Sequence, residues 1–465
     1  MGAMALMLRE LGYEVRGSDA APYPPMSDRL AAAGVEVYRG YAAENLAWGP
    51  DAVVVGNVIR PDSPEIARVR ELGIGGASMA EVLAEIFIPG RVSVVVSGTH
   101  GKTTTSSMAA WIAHEAGLDP SFFIGGLVAP WNANYRVGGA DGDAPIIIEG
   151  DEYDTAFFDK DSKFHHYRPF IAAINNIEFD HADIFADLDA IVDTFSRFTA
   201  RVPADGLLVR PISDVNAAQA IATSGTAATV WRTSVEGSDE AAAQAEVRAT
   251  EVVLGPDGCS FQLHLPEAET VGVHLKAAGL HNIRNALVAA ALTSRLGVAP
   301  TAIASALGSF TLPLRRLTLK HLVRDIPIID DFAHHPTAIA ATIAALRAGH
   351  PGRRIVTLFE VQSNTARRKV FQEAFGHALA TADRVWFCRP LVKTSDPLPP
   401  ADRLDLTALA AQIEAAGVPA TIIEDTAALA TAVAADAQPG KDVIVAMSGR
   451  HFDAICDQIA HKLNT

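Results

Sequence analysis

The sequence predicts an α/β protein made of three successive units, and three observations carry that reading. Short β-rich runs alternate with helical patterns almost throughout, the signature of parallel sheets covered by helices. One apolar run, Val92-Ser93-Val94-Val95-Val96, leads straight into a glycine-rich turn and then a helical pattern. Finally, the chain has 465 residues, 49% of them hydrophobic and 20% charged, which suits several buried cores at roughly 100–200 residues per domain.

In the first unit, residues 6–11 read as helix, since Ala3, Met4, Met7 and Leu11 follow helical spacing. Residues 13–16 read as a strand with the polar end Gly17-Ser18-Asp19, residues 52–55 as a second strand and residues 79–87 as a helix. A Rossmann-like unit opens with a strand and a glycine turn, whereas this pattern opens at the helix. Gly2 then reads as the remnant of that turn, with the first strand expected upstream of Met1. Pro89-Gly90 marks the break to the second unit, which carries strands at 92–96, 146–148 and 171–174. From 215 to 275 the pattern is less helical, with strands at 260–265 and 271–275, before a strong helix at 282–296. The third unit starts near Pro313 and repeats strand and helix: strands at 326–329, 355–359, 384–387, 420–423 and 443–447, with helices at 337–347, up to about 380, and at 427–435. The expected domains are therefore 1–89, 90–312 and 313–465.

Charge and cysteine usage exclude several functions. Lys plus Arg number 38 against 54 Asp plus Glu, a net charge of −16, so non-specific nucleic-acid binding is not expected. Cys259, Cys388 and Cys456 lie far apart, which argues against a disulfide framework and fits a reducing cytoplasm. No run reaches the roughly 18 apolar residues of a membrane span, and the N-terminus lacks the basic region of a signal peptide. A cytoplasmic enzyme is the expectation, and the oligomeric state is left open.

The strongest local signal is Gly98-Thr99-His100-Gly101-Lys102-Thr103-Thr104-Thr105. Glycines let backbone N–H groups close around phosphate oxygens, and the helix that follows adds a positive end. Lys102 suits the β/γ-phosphates and the Thr103 hydroxyl suits Mg²⁺. A generic phosphate loop has glycine at the position of Val96, so this loop is a shortened form. Glu149 ends the strand Ile146-Ile147-Ile148 and supplies a hard oxygen ligand for the metal, whereas Asp151 and Glu152 read equally well as solvated loop charges. His181, in Asn175-Asn176-Ile177-Glu178-Phe179-Asp180-His181, follows a strand end beside acids and is a third site candidate. The tandem His165-His166, taken as strand residues, would point to opposite faces and so is read as structural. In the first unit, Ser18, Asp19 and Asn57 stand at strand ends, where a polar ligand is held; an ordinary cap and loop are equally good readings of Asp19 and Asn57.

Together these elements resemble the Mur ligase family, the ATP-dependent amide-forming enzymes of peptidoglycan assembly. The family's phosphate loop is a shortened G-T-x-G-K-T. The resemblance continues in Gly279-Leu280-His281-Asn282-Ile283-Arg284-Asn285, in Arg315-Arg316, and in Asp330-Asp331-Phe332-Ala333-His334-His335-Pro336, in the family's order and over nearly the whole chain. It implies a Rossmann-like UDP-sugar-binding domain, a central ATPase domain and a C-terminal doubly wound α/β domain that receives the incoming peptide. For ATP it implies Gly98, Thr99, His100, Gly101, Lys102, Thr103 and Thr104, with His281, Asn282 and Asn285 toward the adenine and Asp331 and His334 from the domain junction. Lys102, Glu149, His181 and Arg316 become the catalytic set, with Thr103, Glu149 and His181 as Mg²⁺ ligands. Some family members carry a carbamylated lysine as a metal ligand; Lys160 and Lys163 are nearby, and plain surface lysines are the favoured reading.

Within the family, Tyr23-Pro24-Pro25-Met26-Ser27, residues 149–163 (EGDEYDTAFFDKDSK) and residues 175–185 (NNIEFDHADIF) point to the branch that adds a tripeptide. That branch joins L-Ala-γ-D-Glu-meso-diaminopimelate to the lactyl carboxylate of UDP-N-acetylmuramate through an acyl phosphate, in murein recycling. The sister branch that adds one L-alanine more typically shows E-A-D-E-S-D and T-N-I-E. Two segments depart from the tripeptide pattern: Glu360-Val361-Gln362-Ser363-Asn364-Thr365 where E-P-R-S-N-T is usual, and Ser448-Gly449-Arg450-His451 where S-N-G-G is usual. Ser363, Asn364, Thr365 and Arg367 are the peptide-binding candidates, because hydroxyls, an amide and a guanidinium suit carboxylates. The alternatives are the L-alanine ligase, with the same chemistry on a smaller amine, and a nucleotide-dependent regulatory protein without turnover.

Overall fold

The computed structural model describes residues 1–140, 142–182, 184–237, 242–363, 366–389, 398–450 and 452–465. Two large sheets dominate. In the central one, Val92–Ser97 lies between Pro145–Glu149 and Ile171–Ile174, all parallel. Val94, Val95, Val96, Ile146, Ile147 and Ile148 are buried on both faces, which is why these strands read as unbroken apolar runs. Ser121–Val128 and the antiparallel Ala133–Arg136 extend the sheet on one side. Leu207–Pro211, Thr229–Val235 and Val247–Gly255 extend it on the other, ending in the antiparallel Gly258–His264 and Val271–Leu275.

The second sheet runs in the order Thr318–Val323, Ile326–Asp331, Asp442–Met447, Arg354–Glu360, Arg384–Cys388 and Ala420–Ile423. All neighbours are parallel except the first pair. Ile355 and Phe359 pack into one core with the helices Pro336–Gly349, Gln372–Leu379 and Leu406–Ala415, while Val356 and Leu358 pack into another with Thr426–Asp436 and Ile455–Asn464. This alternation is the doubly wound arrangement the pattern predicts. It brings the C-terminal ends of three adjacent strands, at Asp331, Met447 and Glu360, to one edge.

The N-terminal region differs most from expectation. Its first strand is Arg16–Asp19, not 13–16, so Gly17, Ser18 and Asp19 belong to the strand itself. Gly12 turns the chain at φ +92° after the helix Gly2–Glu10, and Tyr13 is exposed. The strand is fixed by its register with Glu36–Arg39, from Arg16 opposite Glu36 to Asp19 opposite Arg39, which no local pattern displays. A second parallel pair joins Ala52–Val55 to Gly75–Ser78. The two pairs stand apart from each other. The Gly2–Glu10 helix nevertheless buries Met4, Met7 and Leu8 in a core shared with Val95, Ile148 and Phe164, so packing runs across the break expected at Pro89-Gly90. Among the described residues no helix is long and apolar enough to cross a membrane.

Candidate active site

The phosphate loop follows from its backbone. Gly98 sits at φ +122° and Gly101 at φ +80°, conformations that glycine adopts without strain. A Cβ on Gly98 would stand 2.9 Å from the backbone nitrogens of Asn175 and Asn176, and one on Gly101 would strike Asn285 Oδ1. The loop is thus pressed against the neighbouring strand end, and the helix Lys102–Glu115 starts from Gly101. The His100 N–H donates to Asn176 Oδ1 (2.7 Å), and the Asn175 amide donates to Thr105 Oγ1 (3.0 Å).

Around this loop the charged side chains are wired together. The Lys102 ammonium donates to Gly98 O and to Glu152 Oε2, both at 2.8 Å. His181 Nε2 lies 3.2 Å from the other oxygen of Glu152, giving a chain Lys102–Glu152–His181. Thr103 Oγ1 donates to Glu149 Oε1 (2.8 Å), and the Gly125 N–H donates to Glu149 Oε2 (2.7 Å). From the far side, Arg316 Nη2 donates to Thr103 Oγ1 (3.3 Å). Arg316 is set by the connection to the C-terminal sheet, where its neighbours Arg315 and Leu317 take left-handed backbone at φ +62° and +47°.

Electrostatics follow from burial and pairing. Burial first, and then Asp151, push the Glu149 carboxyl above the usual range. Burial opposes charge on Lys102, yet Glu152 and Asp151 outweigh it and raise the ammonium's pKa. Burial likewise works against His181⁺, but the hydrogen bond to Glu152 prevails and its pKa is raised. Thr103 Oγ1 and the Glu149 carboxylate meet at the loop as hard oxygen ligands that suit a divalent cation, while His181 Nε2 is turned to Glu152 beside them.

Asp151, Glu152 and Lys163 need correction. Neither acid is a solvated loop charge: Glu152 is 3% exposed and closes on Lys102, while Asp151 pairs with Lys163 Nζ (3.2 Å). Lys163 is not a plain surface lysine either; it is 7% exposed and lies 3.8 Å over the Tyr153 ring. Lys160 is the surface lysine, paired with Asp154. The density of acids just after Glu149 was the available signal, but only the fold shows that the segment turns inward. His165 and His166 lie in the short 3₁₀ turn Lys163–His166 and not in a strand. His165 bonds Asp161 (2.8 Å) and Thr194 O (3.0 Å), and His166 pairs with Asp159, which keeps both structural.

The remaining candidates are distributed as follows. Asn282 and Asn285 are buried at the start of the helix Leu280–Arg295, where Thr105 Oγ1 donates to Asn285 Oδ1 (3.2 Å). Burial pushes the neighbouring His281 down to about 4. Asp331 accepts from Leu317 N (2.8 Å), Ala333 N (2.8 Å) and Thr342 Oγ1 (3.2 Å), so it holds the domain connection in shape. His334 Nδ1 is 2.8 Å from Phe332 O. Ser363 Oγ accepts from Ala366 N, and Ser363 O from Arg367 N, at the end of the Arg354–Glu360 strand. Asn364, Thr365 and His451 lie outside the described residues. A Cβ on Gly449 would stand 2.9 Å from His334 and 3.0 Å from Ser363, so the Ser448-Gly449-Arg450 turn adjoins both. Ser18, Asp19 and Asn57 sit far along the N-terminal pairs: Ser18 donates to Glu65 (2.6 Å), Asp19 caps Ala21 N (2.8 Å), and Asn57 is exposed.

Comparison with known proteins bears on the whole chain. Residues 1–89 match the Mur ligase family catalytic domain, 96–293 the Mur ligase middle domain, and 315–450 the Mur ligase glutamate ligase domain. The UDP-N-acetylmuramate–L-alanyl-γ-D-glutamyl-meso-2,6-diaminoheptandioate ligase of Escherichia coli is 38% identical over 97% of this chain and 93% of its own. A UDP-N-acetylmuramate–L-alanine ligase of Xanthomonas campestris is 35% identical over 99% of this chain and 92% of its own. Among solved structures, a murein peptide ligase from Psychrobacter arcticus superposes with a TM-score of 0.73 at 33% identity, covering 100% of this chain and 96% of that one. Shortened phosphate loop, buried acids and paired α/β sheets thus have one common source: the chain belongs to the Mur ligase family.

Proposed function

We propose that this protein is the ATP-dependent ligase that joins the tripeptide L-Ala-γ-D-Glu-meso-diaminopimelate to the lactyl carboxylate of UDP-N-acetylmuramate, in murein recycling. A carboxylate is a poor electrophile, so the reaction first activates it. A lactyl oxygen attacks the γ-phosphorus of ATP, ADP departs, and an acyl phosphate remains. The peptide's α-amino nitrogen then attacks the acyl carbon, the C–N bond forms as the C–O bond to phosphate breaks, and the amine loses a proton. Catalysis of such a sequence is mainly positioning and charge neutralisation.

The residues divide that work. Lys102 neutralises the β/γ-phosphates, and Glu152 keeps it protonated and aimed at the loop until phosphate oxygens compete for it. Arg316, held against Thr103 from the domain connection, adds positive charge from the opposite side. Thr103, Glu149 and His181 would hold Mg²⁺, which supplies charge neutralisation of the phosphates when bound. The buried Asn282 and Asn285 support the adenine side, with His281 kept neutral. Asp331 and His334 set the connection that brings the C-terminal domain, with Ser363 and Arg367, over the nucleotide; closure there excludes water that would hydrolyse the acyl phosphate. Ser18, Asp19 and Asn57 are the proposed uridine-side contacts.

One observation carries the choice of tripeptide over L-alanine. Residues 149–163, which separate the two branches, are built into the wall of the site, where Tyr153 stacks under Lys163 and Lys163 pairs with Asp151. The higher identity to the tripeptide-type relative agrees with it. The test is phosphate release with UDP-N-acetylmuramate, ATP and Mg²⁺, offering the tripeptide or L-alanine. Faster release with the tripeptide is expected; faster release with L-alanine would replace this reading by the alanine ligase.

A further inference from the structure

Where the C-terminal domain rests on the phosphate loop, three donor side chains from three segments meet. His100 comes from the loop itself, Glu178 from the segment after Ile171–Ile174, and His335 from the N-cap of the Pro336–Gly349 helix. His100 Nε2 lies 3.4 Å from Glu178 Oε2, and His335 Nδ1 lies 3.6 Å from the same oxygen. The ligand atoms of all three fall within 4.8 Å of one another. None of the three is among the magnesium ligands proposed above.

We infer that His100, Glu178 and His335 form a second metal site, for a divalent transition metal of the zinc type, which bridges the phosphate loop and the C-terminal domain. Two imidazoles and a carboxylate are ligands that zinc takes readily, with a fourth position left to water. In a tetrahedral site with bonds of about 2.0–2.1 Å, neighbouring ligand atoms stand about 3.3 Å apart, and the two distances to Glu178 are close to that spacing already.

The outer contacts favour metal over a simple hydrogen-bonded cluster. His335 Nε2 faces Phe179 O at 3.3 Å, so a proton there leaves the lone pair on Nδ1 turned to the site. Nδ1 otherwise meets only the Thr337 N–H at 3.4 Å, a long contact that a metal bond would replace. Thr337 Oγ1 donates to Glu178 Oε2 (2.5 Å) and orients the carboxylate. His100 Nε2 is shut off from solvent and makes no hydrogen bond of good geometry, its 3.4 Å approach to Glu178 included, and a metal between the two would satisfy both. Because a ligand that needs all three side chains binds only the arrangement in which they meet, the metal stabilises the closed domain pair by mass action. Opening between turnovers is then slowed, so the bound metal inhibits.

Cobalt(II) titration of the full, nucleotide-free chain reads this directly, since tetrahedral cobalt with imidazole ligands absorbs in the visible. We expect one visible-absorbing equivalent, displaced by zinc. His335→Ala and Glu178→Gln should each abolish the band or weaken binding at least tenfold, whereas His181→Ala should retain it. Zinc should raise the melting temperature of the wild type and not of His335→Ala. Absence of the band in the wild-type chain overturns the site, as does its persistence in Glu178→Gln; misfolding is a poor explanation for its loss there, because that side chain is partly exposed. Loss of the band in His181→Ala alone would move the metal to the magnesium ligands.

Discussion

The wall of the phosphate loop and the crevice at the strand ends of the C-terminal domain are both rich in charge, yet they are built on opposite principles. At the loop, Lys102, Glu152 and His181 are paired in series with Glu152 buried between the two cations, and Glu149 is saturated by Thr103 and Gly125. In the crevice, Arg367 has its pKa lowered by burial and then by three other guanidiniums, Arg403, Arg450 and Arg368, while Arg450 is exposed. The first region balances its charges internally before any ligand arrives. The second gathers several guanidiniums close together, one of them in reach of solvent, an arrangement that suits an anionic ligand. A nucleotide of fixed shape and a peptide carrying several carboxylates ask for that difference.

The sharpest way to break the contrast is at Lys102. Lys102→Ala should lower turnover by a factor of hundreds or more, about 3 kcal/mol in the transition state. Because Lys102 is buried against Glu152, the same change should also destabilise the fold, by about 3–5 kcal/mol for a broken buried pair. Adding Glu152→Gln should restore most of the melting temperature and none of the turnover. A single variant that melts like the wild type would show that the pair is not wired as described.

Next come the metal-side ligands. Glu149→Gln and His181→Ala should slow acyl-phosphate formation and raise the Mg²⁺ requirement on the order of tenfold to a hundredfold. Unchanged Mg²⁺ dependence in both would place the cation elsewhere. In the crevice the effect should be narrower: Arg367→Ala should raise the tripeptide KM about tenfold while the KM for ATP stays put, as loss of a charge-assisted hydrogen bond requires. Varying each substrate in turn decides it, and an unchanged tripeptide KM removes Arg367 from the peptide site.

The smallest effect belongs to His165, a buried partner that serves neither region's ligand. His165→Asn should leave kcat intact and cost stability by about 1 kcal/mol. Burial holds the His165 pKa below its ordinary value, so the unfolded chain binds the proton first as pH falls. The stability that the neutral ring contributes is therefore present above about pH 6.5 and lost as pH drops through that value toward the depressed one. Melting curves of both proteins between pH 7.5 and about 5 should converge toward the acid end.

What could be read from the chain alone was whatever is encoded locally. The apolar run at 92–96 ends on glycines that only a tight turn uses, so the phosphate loop, Lys102 and Thr103 were legible, and Glu149 followed from the strand before it. The helix–strand alternation of the C-terminal domain was legible because buried parallel strands carry continuous apolar runs. What escaped was set by partners distant in sequence. Glu152 became a buried ion-pair partner because a turn 50 residues from Lys102 folds back onto it, and Lys163 was drawn inside by Asp151 and Tyr153. Arg16–Asp19 is a strand because Glu36–Arg39 pairs with it, not because its four polar and small residues favour one. The meeting of His100, Glu178 and His335 joins motifs up to 235 positions apart. Periodicity and turn chemistry act within a few residues and are written in the sequence; the partner of a charge depends on which strand ends the sheets bring together, and only the tertiary structure decides that.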